Sequence, residues 1–249
     1  MASTRQLLVS ATALFFGIGV LGANVAVCEV AAYWPIDEME GTTIHDISGN
    51  NNDGNILGPE WMLLDGRTCL CFDGFDDLVQ VNNDPSLNMV HTTMEAIIFL
   101  NSAIQGGIVA KWGYGGLSDS YIMYVASGRL NAKIVRDGYT GQTEVTSTNF
   151  LPLGEWIHVA ATYDGLALRL FVNHQAQGEV TAEGEIASTD NDVVLGLEEI
   201  SFDSHHYLNG CVDEARVSTE ALDPSEFLPY GSTPVQPRTW GTIKASYRE

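Results

Sequence analysis

Oxygen-bearing side chains are concentrated in one short stretch near the start of the chain, HDISGNNNDGNI at residues 45–56. Such a run is typical of a cation site, of a loop that contacts sugars, or of a turn whose side chains bond to their own backbone. An EF-hand is excluded, because Asn51 stands at the sixth loop position, which needs glycine, and Leu57 at the twelfth, which needs glutamate. These residues alone do not decide between a different kind of cation site, a sugar-contacting loop and a simple turn.

Three aspartates lie close together in FDGFDD, namely Asp73, Asp76 and Asp77. Glycoside hydrolysis needs two carboxyl groups beside the bond to be cleaved, and this stretch could supply them. Aspartate and glycine are also the usual residues of tight turns, and we favour the turn. The chain also lacks the Gly-x-Ser-x-Gly, P-loop and His-Glu-x-x-His motifs. We therefore predict no catalytic residue.

Two loops carry aromatic and imidazole side chains that could contact a ligand. KWGYGGLSDSY contains Trp112 and Tyr114, and SFDSHHYLNG contains His205, His206 and Tyr207. Aromatic rings can stack on sugar faces, and loops at the edge of a sandwich commonly carry binding sites. The alternative for Trp112 is packing at the edge of the core. We predict that these five residues contribute to ligand binding.

The composition limits the kinds of partner. The 249 residues include 32 acidic and 11 basic side chains, which gives a formal net charge of −21. Such a surface repels a phosphate backbone, which argues against nucleic acid as a partner. Hydrophobic residues make up 45% and charged residues 17%, which indicates a folded chain with a real core.

Residues 1–27 are predicted to be a signal peptide. Arg5 supplies the positive charge, an apolar run follows at residues 7–27, and small residues stand near its end. An uncleaved membrane anchor is the alternative, because the run approaches the length that spans a bilayer. A lipid anchor on Cys28 is a minor alternative, since Val27 is bulky for that signal. We expect an exported protein, secreted or at the cell surface, with no membrane span after cleavage.

Three further cysteines, Cys69, Cys71 and Cys211, allow one disulfide. Residues 69 and 71 alternate on a predicted strand, so their side chains share a face and cannot easily bridge each other. Either could pair with Cys211 in an oxidising compartment, which would leave one thiol. No cysteine or histidine spacing is typical of zinc.

From residue 30 onward, short apolar runs of period two end in Gly, Asn and Asp turns. LRLFVN and EWIHVAATYDG alternate cleanly, and SYIMYVASGRLNAKIV is typical of two strands about a Ser-Gly turn. Many such strands without helical stripes predict an all-β sandwich or barrel. One short helix is expected at LDPSEF, with Asp223 as its N-cap. Residues 229–249 are predicted to be a linker and a basic-aromatic tail, which could be a sorting signal.

Four stretches in this order resemble the laminin-G-like domains of the concanavalin A-like lectin/glucanase superfamily. They are AAYWPIDEMEGTTIHDISGNNNDGNI, CLCFDGFDDLVQVNNDPSLN, GEWIHVAATYDGLALRLFVN and YLNGCVDEARVSTEALDPSEF. The resemblance covers about residues 30–228, so we predict one domain at residues 28–228. It implies a jelly-roll sandwich of two antiparallel sheets.

The resemblance also bears on metal binding and catalysis. Many such jelly rolls hold a structural calcium ion, and the matching candidates here are Asp46 and Asp213, with turn oxygens such as those of Ser48 and Asn50. A turn without an ion is an equally good interpretation. Glucanases of the superfamily carry Glu-x-Asp-x-x-Glu on one strand, and the nearest stretch here, IDEMEG, lacks the first glutamate and the spacing.

Together these observations predict an exported, non-catalytic recognition module. The expected ligand is a glycan or a glycan-bearing surface, met through loops at the edge of the sandwich, with Ca²⁺ as an expected structural cofactor. The first alternative is a structural or adhesive domain that binds a cell-surface or extracellular protein. The second is a glycoside hydrolase.

Overall fold

The computed structural model of the chain describes residues 29–113, 119–138, 141–201 and 204–230. Within them the backbone forms eighteen strands and one short 3-10 helix, Pro85–Leu87. In chain order the strands are β1 (Val30–Trp34), β2 (Thr43–Ile44), β3 (Gly54–Leu57), β4 (Glu60–Leu64), β5 (Arg67–Asp73), β6 (Leu78–Val81), β7 (Thr92–Leu100), β8 (Gln105–Lys111), β9 (Tyr121–Ala126), β10 (Arg129–Val135), β11 (Gln142–Thr146), β12 (Trp156–Tyr163), β13 (Ala167–Val172), β14 (Gln175–Thr181), β15 (Val193–Leu195), β16 (Leu197–Ser201), β17 (Ser204–Tyr207) and β18 (Asn209–Ser218). None of the helical structure in this part has the length and hydrophobicity that a membrane crossing requires.

The strands pair into two antiparallel sheets of eight strands each. The order in the first sheet is β14-β13-β12-β7-β18-β5-β4, and β1 also pairs with β18. The order in the second sheet is β11-β10-β9-β8-β15-β6-β3-β2. The remaining strands, β16 and β17, form a separate hairpin. The predicted two-sheet jelly-roll sandwich is confirmed.

The main core lies between the two sheets and is formed by alternate side chains of their strands. On β12, Ile157, Val159 and Ala161 are fully buried in this core, as the period-two pattern predicts. Met123 and Val125 on β9 do the same from the second sheet. Because successive side chains of a strand point to opposite faces, the residues between them face outward. Polar strand side chains that could contact a ligand therefore lie on the outer faces of the sandwich.

Three two-residue turns fix the register of neighbouring strands. Their central pairs are Asp65–Gly66, Ser127–Gly128 and Asn173–His174, and all six residues have positive φ angles between 49° and 81°. Type I′ turns require this conformation at both central positions, and their twist matches that of the strands. The predicted Ser-Gly turn between β9 and β10 is thus confirmed.

The predicted helix at LDPSEF does not form. Residues 222–227 make a single turn, in which the Glu226 amide donates to the Asp223 carbonyl at 2.8 Å and the Asp223 amide donates to the Glu226 side chain at 3.0 Å. The capping contacts exist, but Phe227 packs against the outer face of the first sheet instead of continuing a helix. The same Asp-Pro-Ser order at Asp84 does begin the 3-10 helix, with Asp84 as its N-cap.

A disulfide joins β5 to β18 in the first sheet. Cys71 and Cys211 stand directly opposite each other in the strand register and are bonded, across a sequence separation of 140 residues. Of the two pairings left open by the sequence, the structure contains this one. Cys69 keeps a buried thiol, and burial, together with the nearby Asp213 carboxylate, raises its pKa to about 12.

A buried charge network fixes the C-terminal segment, residues 219–230, onto the outer face of the first sheet. Glu95 on β7 is fully buried, and its Oε1 accepts a hydrogen bond from Arg216 Nε at 2.6 Å. Its Oε2 lies 2.8 Å from His158 Nε2 and accepts the amide of Leu228 at 2.7 Å. A charge can stay buried when it has such partners, so the network ties the segment down.

His158 is held neutral within this network. Its side chain is fully buried on β12, and desolvation lowers its pKa even though Glu95 acts in the opposite direction. The ring stacks on Phe227 at 5.3 Å and lies 4.6 Å from the ring of His174. Of its two ring nitrogens, Nδ1 has no hydrogen-bond partner among the described residues. A second proton on the ring would therefore lack an acceptor.

We expect the protein to lose stability as the pH falls below about 6.5, the ordinary pKa of histidine. The unfolded chain takes up a proton there that folded His158 resists, so the folded state is favoured above this pH and loses that advantage below it. Urea denaturation at about pH 7.5 and about pH 5.5 measures the loss. His158→Gln should reduce this loss of stability, because the imidazole that takes up the proton is removed. The charged and titratable groups around it, Glu95, Arg216 and His174, remain. The exposed His205→Gln is the matched control, and equal pH dependence in all three proteins would contradict the assignment.

Candidate functional site

The outer face of the second sheet carries an apolar cluster that is separate from the main core. Ala110 on β8 stands opposite Ile122 on β9 in the strand register, and both contact a cluster that includes Tyr124 and Trp112. Only 3% of Tyr124 and 8% of Trp112 remain exposed. The two aromatic rings thus pack on the outward face of the sheet but are almost wholly covered, which for Trp112 agrees with the packing alternative.

An ion-pair network lies beside these rings. Lys133 on β10 stands opposite Glu144 on β11, and its Nζ lies 4.0 Å from Glu144 Oε1 and 3.5 Å from Glu198 Oε1. The same ammonium lies 4.4 Å from the centre of the Tyr124 ring, a cation–π distance. The Tyr124 hydroxyl donates to Glu144, and burial, reinforced by that carboxylate, raises the tyrosine pKa. The phenol therefore stays protonated and acts as a donor.

The β16–β17 hairpin covers one side of this network. Gly107 on β8 permits this, because a Cβ atom there would meet the Leu197 carbonyl group at 2.1 Å. The close approach places Glu198 over the sheet, where its Oε1 meets Lys133 and its Oε2 lies 3.3 Å from His206 Nδ1. Only 3% of the Glu198 side chain is exposed, so these two partners take the place of water around its carboxylate.

We call the set formed by Tyr124, Lys133, Glu144, Glu198 and His206 the second-sheet site. Its accessible groups are the carboxylate of Glu144, the imidazole of His206 and the ammonium of Lys133, whose side chains are 47%, 22% and 19% exposed. They present hydrogen-bond acceptors and donors within a few ångströms, beside aromatic rings that are themselves buried. Such a set can bind hydroxyl-rich molecules through hydrogen bonds to the hydroxyl groups of a sugar.

The structure brings one residue of each predicted ligand loop, Trp112 and His206, to the same sheet face. Trp112 contacts the cluster that contains Tyr124, and His206 joins the second-sheet site through Glu198. His205 is exposed on the neighbouring hairpin position, with its ring centre 6.1 Å from that of Tyr207. Tyr114 lies outside the described residues.

Four members of the second-sheet site are not evident from the sequence. Tyr124, Lys133, Glu144 and Glu198 lie on four different strands, so no short motif contains them. The alternation of RLNAKIV does place Lys133 on the face opposite to Ile134, so the sequence indicates that the lysine faces outward. Which residues contact Lys133 depends on strand pairing, which the sequence does not show.

The Asp46 turn is satisfied by its own hydrogen bonds. Oδ1 of Asp46 accepts the amides of Tyr33 at 2.9 Å and Ser48 at 2.8 Å. Oδ2 accepts the Ser48 hydroxyl at 2.8 Å and the amide of Asn52 at 2.9 Å. Asn50 donates its side-chain amide to β1 carbonyls, at 3.0 Å each. Since a carboxylate has about four acceptor positions, those of Asp46 are filled.

Asp213 has a different partner. Its Oδ2 forms an ion pair with Arg67, and burial raises its pKa while that arginine opposes the shift. The side chains therefore do not fit a calcium ion held between Asp46 and Asp213, because both carboxylates already have donors. Whether the protein binds calcium stays a prediction.

The FDGFDD stretch forms a tight turn. The carboxylate oxygens of Asp73, Asp76 and Asp77 lie within 4.8 Å of one another. Asp73 accepts the amide of Phe75 at 2.8 Å, and Asp77 accepts the amide of Asp73 at 2.8 Å. Desolvation raises the pKa of Asp77. The hydrogen bonds are those of a turn, in agreement with the interpretation that the sequence favours.

The family of the chain follows from a sequence comparison. The Laminin_G_3 family, described as the concanavalin A-like lectin/glucanases superfamily, matches residues 73–227, more than half of the chain. The chain therefore belongs to this superfamily, in agreement with the resemblance of the four stretches. No curated protein matches the sequence significantly.

Solved structures share the fold at low sequence identity. Domain 4 of AbnA, a GH43 extracellular arabinanase from Geobacillus stearothermophilus in complex with arabinotriose, is 14% identical with a TM-score of 0.56, over 80% of this chain and 96% of that chain. The botulinum neurotoxin serotype D binding domain is 12% identical with a TM-score of 0.57, over 79% of this chain and 49% of that one. The botulinum neurotoxin DC binding domain in complex with rat synaptotagmin II is 11% identical with a TM-score of 0.60, over 80% and 50%. The chain thus spans about half of the toxin domains, and such likeness shows the fold alone.

We expect Asp46→Asn to destabilise the protein by about 1–3 kcal/mol, because the amide cannot accept all the bonds that the carboxylate accepts. The loss should be the same with and without a calcium chelator, and wild-type protein should melt at the same temperature in both. Thermal denaturation measures this. Asp65→Asn, an exposed turn position with a φ of 54°, is the matched control. If the chelator lowers the melting temperature of the wild-type protein and Asp46→Asn abolishes this difference, calcium does bind at Asp46.

Proposed function

We propose that the protein is a non-catalytic glycan-binding module that holds its ligand at the second-sheet site. The observation that carries this proposal is the pairing of Glu144 and Lys133 beside the Tyr124 ring, on an outward face that also carries Trp112 and His206 of the two predicted ligand loops. An ion pair of this kind is not needed to close the core. Its donors and acceptors are held in fixed positions, which reduces the entropy lost on binding.

The charge of the chain favours a neutral glycan. The net charge is −21, and the second-sheet site itself contains two carboxylates and one ammonium group. Uronic or sulfated sugars would meet repulsion there. Hydroxyl groups of a neutral sugar can accept from Lys133 and donate to Glu144. The likeness to an arabinanase domain solved with arabinotriose is in keeping with such a ligand.

A hydrolase is less well supported by the same geometry. Glu144 and Glu198 lie on either side of one group, which is an arrangement that glycoside hydrolases use. The group between them is the Lys133 ammonium, and it forms ion pairs with both carboxylates. Hydrolysis requires one carboxyl that carries a proton for the leaving oxygen. We therefore propose binding rather than cleavage.

Adhesion to a protein is the second candidate function, and it rests on a separate surface. Ile104, Phe150 and Leu153 are 78%, 68% and 55% exposed. Ile104 and Leu153 border a depression of about 590 Å³ at one end of the sandwich, and Phe150 lies over the adjoining Gly128. Exposed apolar groups that cluster in this way commonly mark contact surfaces for other proteins.

We also propose that the protein is exported. The disulfide between Cys71 and Cys211 supports this location, because such bonds persist in oxidising compartments. The predicted signal peptide, residues 1–27, lies outside the described residues, as does all but the first two residues of the predicted linker and tail, residues 229–249.

Glu144→Gln should weaken binding of a neutral oligosaccharide at least about tenfold, which corresponds to about 1.4 kcal/mol, because a charged acceptor for the sugar hydroxyl groups is replaced by a neutral amide. A glycan array with neutral and anionic sugars first identifies the ligand, and calorimetry then gives the dissociation constants. Glu179→Gln is the matched control, since Glu179 is also an exposed, ion-paired glutamate but lies on the first sheet. A silent array, or equal affinity in Glu144→Gln, would contradict the proposal.

A further inference from the structure

A pocket of about 280 Å³ lies beside the asparagine-rich turn that follows β2. Its other borders are the start of β1, the 3-10 helix and the residue after the end of β18. Pockets for drug-sized ligands begin at roughly 300 Å³, so this one suits a single small ring. Its lining shares no residue with the second-sheet site. We call it the Asn50–Asn88 pocket, after two side-chain amides that border it.

Asn50 leaves a hydrogen-bond acceptor at the pocket. Its Nδ2 donates to the carbonyls of Val30 and Ala31 at 3.0 Å each, and a carbonyl only accepts, so the orientation of the side-chain amide is fixed. Within the described ranges, Oδ1 of Asn50 accepts no hydrogen bond. The hydrogen bonds of Asp46 explain the turn itself, and they leave this oxygen unused.

Asn88 leaves a donor at the same pocket. Its Oδ1 accepts the backbone amide of Thr189 at 3.3 Å, which fixes this side chain too, because a backbone N–H only donates. Its own backbone amide donates to the Pro85 carbonyl at 3.1 Å, at the end of the 3-10 helix. Its Nδ2 donates to no other residue that the structure describes. The pocket is therefore bordered by one free acceptor and one free donor, each held in place by the other half of its amide.

The rest of the lining is apolar or uncharged, apart from Glu29. Ala31 and Met89 are buried in the main core and form the inner wall, while Val90 is 45% exposed at the mouth. The carboxylate of Glu29 disfavours an anion. A ligand that suits this lining is small and uncharged, with one donor, one acceptor and a short apolar group. The acetamido group has these three features in its N–H, its carbonyl and its methyl.

We propose that the Asn50–Asn88 pocket binds one uncharged N-acetylated sugar residue. The ligand N–H donates to Oδ1 of Asn50, the ligand carbonyl accepts from Nδ2 of Asn88, and the methyl group packs on Met89. Because both amides are already held by bonds to the backbone, little side-chain entropy is lost on binding. Such binding rests on the proposed glycan-binding function and specifies one sugar class within it. The stretch HDISGNNNDGNI then contacts a sugar through Asn50.

The test measures binding of monosaccharides to the full chain. The methyl glycosides of N-acetylglucosamine and N-acetylgalactosamine are compared with those of glucose and galactose in saturation-transfer NMR titrations. We expect one or both acetamido sugars to bind at least about tenfold more tightly than the plain sugars, with the strongest saturation on the acetyl methyl protons. Equal affinity for acetamido and plain sugars would overturn the proposal, as would a lack of binding by both acetamido sugars.

Asn88→Asp tests the donor. Aspartate keeps the oxygen that accepts the Thr189 amide but replaces the Nδ2 donor with an acceptor, so affinity for the acetamido sugar should fall at least about tenfold. Asn55→Asp makes the same change at an exposed position on β3, outside the pocket, and should bind as the wild type does.

Val90→Asp is a second variant, at an exposed position where the fold tolerates a charge. It places a carboxylate at the apolar mouth of the pocket and should also weaken binding. Thermal denaturation of each variant reports the fold. Unchanged affinity in both Asn88→Asp and Val90→Asp would overturn the proposal.

Amide hydrogen exchange separates failure of the pocket from failure of the second-sheet site. The bound acetamido sugar should slow exchange at residues 48–52 and 86–90. Slowing at β9 and β10 instead would overturn the pocket and leave the proposed function intact. Slowing at residues 48–52 and 86–90 by an oligosaccharide that binds Glu144→Gln as tightly as the wild type would support the pocket and contradict the second-sheet site.

Discussion

Each strand of the sandwich has to bury one of its two faces, and this constraint decides where polar chemistry can occur. On β10, Leu130, Ala132 and Ile134 fill the main core, so Lys133 has to face outward. The registers of β9, β10 and β11 then place its ammonium beside Tyr124 and Glu144. A slip of one residue would turn the lysine into the core, which is why the fold and the site cannot vary independently.

The two outer faces use buried charge in opposite ways. On the first sheet, Glu95 is fully buried and its partners include Arg216, His158 and the amide of Leu228, so the C-terminal segment closes that face. On the second sheet, Lys133 has carboxylate partners but keeps part of its surface, and Glu144 is half exposed. The first network holds structure together, because the Glu95 and His158 side chains at its centre are fully buried. The second is open to a ligand.

The sequence predicts the fold well because period-two patterning and turn chemistry are local. The alternation around Val159 and the Ser127–Gly128 turn are both visible in the sequence, and both agree with the structure. The prediction of a helix at LDPSEF is wrong, since tertiary packing of Phe227 overrides a capping signal that is otherwise present. Of the second-sheet site only His206 is visible in the sequence, because it belongs to a loop with recognisable composition. Glu198 reaches the site only through a long-range pairing that no local pattern encodes.

Amide hydrogen exchange with and without a neutral oligosaccharide shows whether a glycan binds at the second-sheet site. We expect slower exchange in peptides that cover β9, β10 and the β16–β17 hairpin, with the first sheet unchanged. Protection confined to residues 101–105 and 126–128, or no protection with a sugar that binds, would mean that the glycan does not bind at this site.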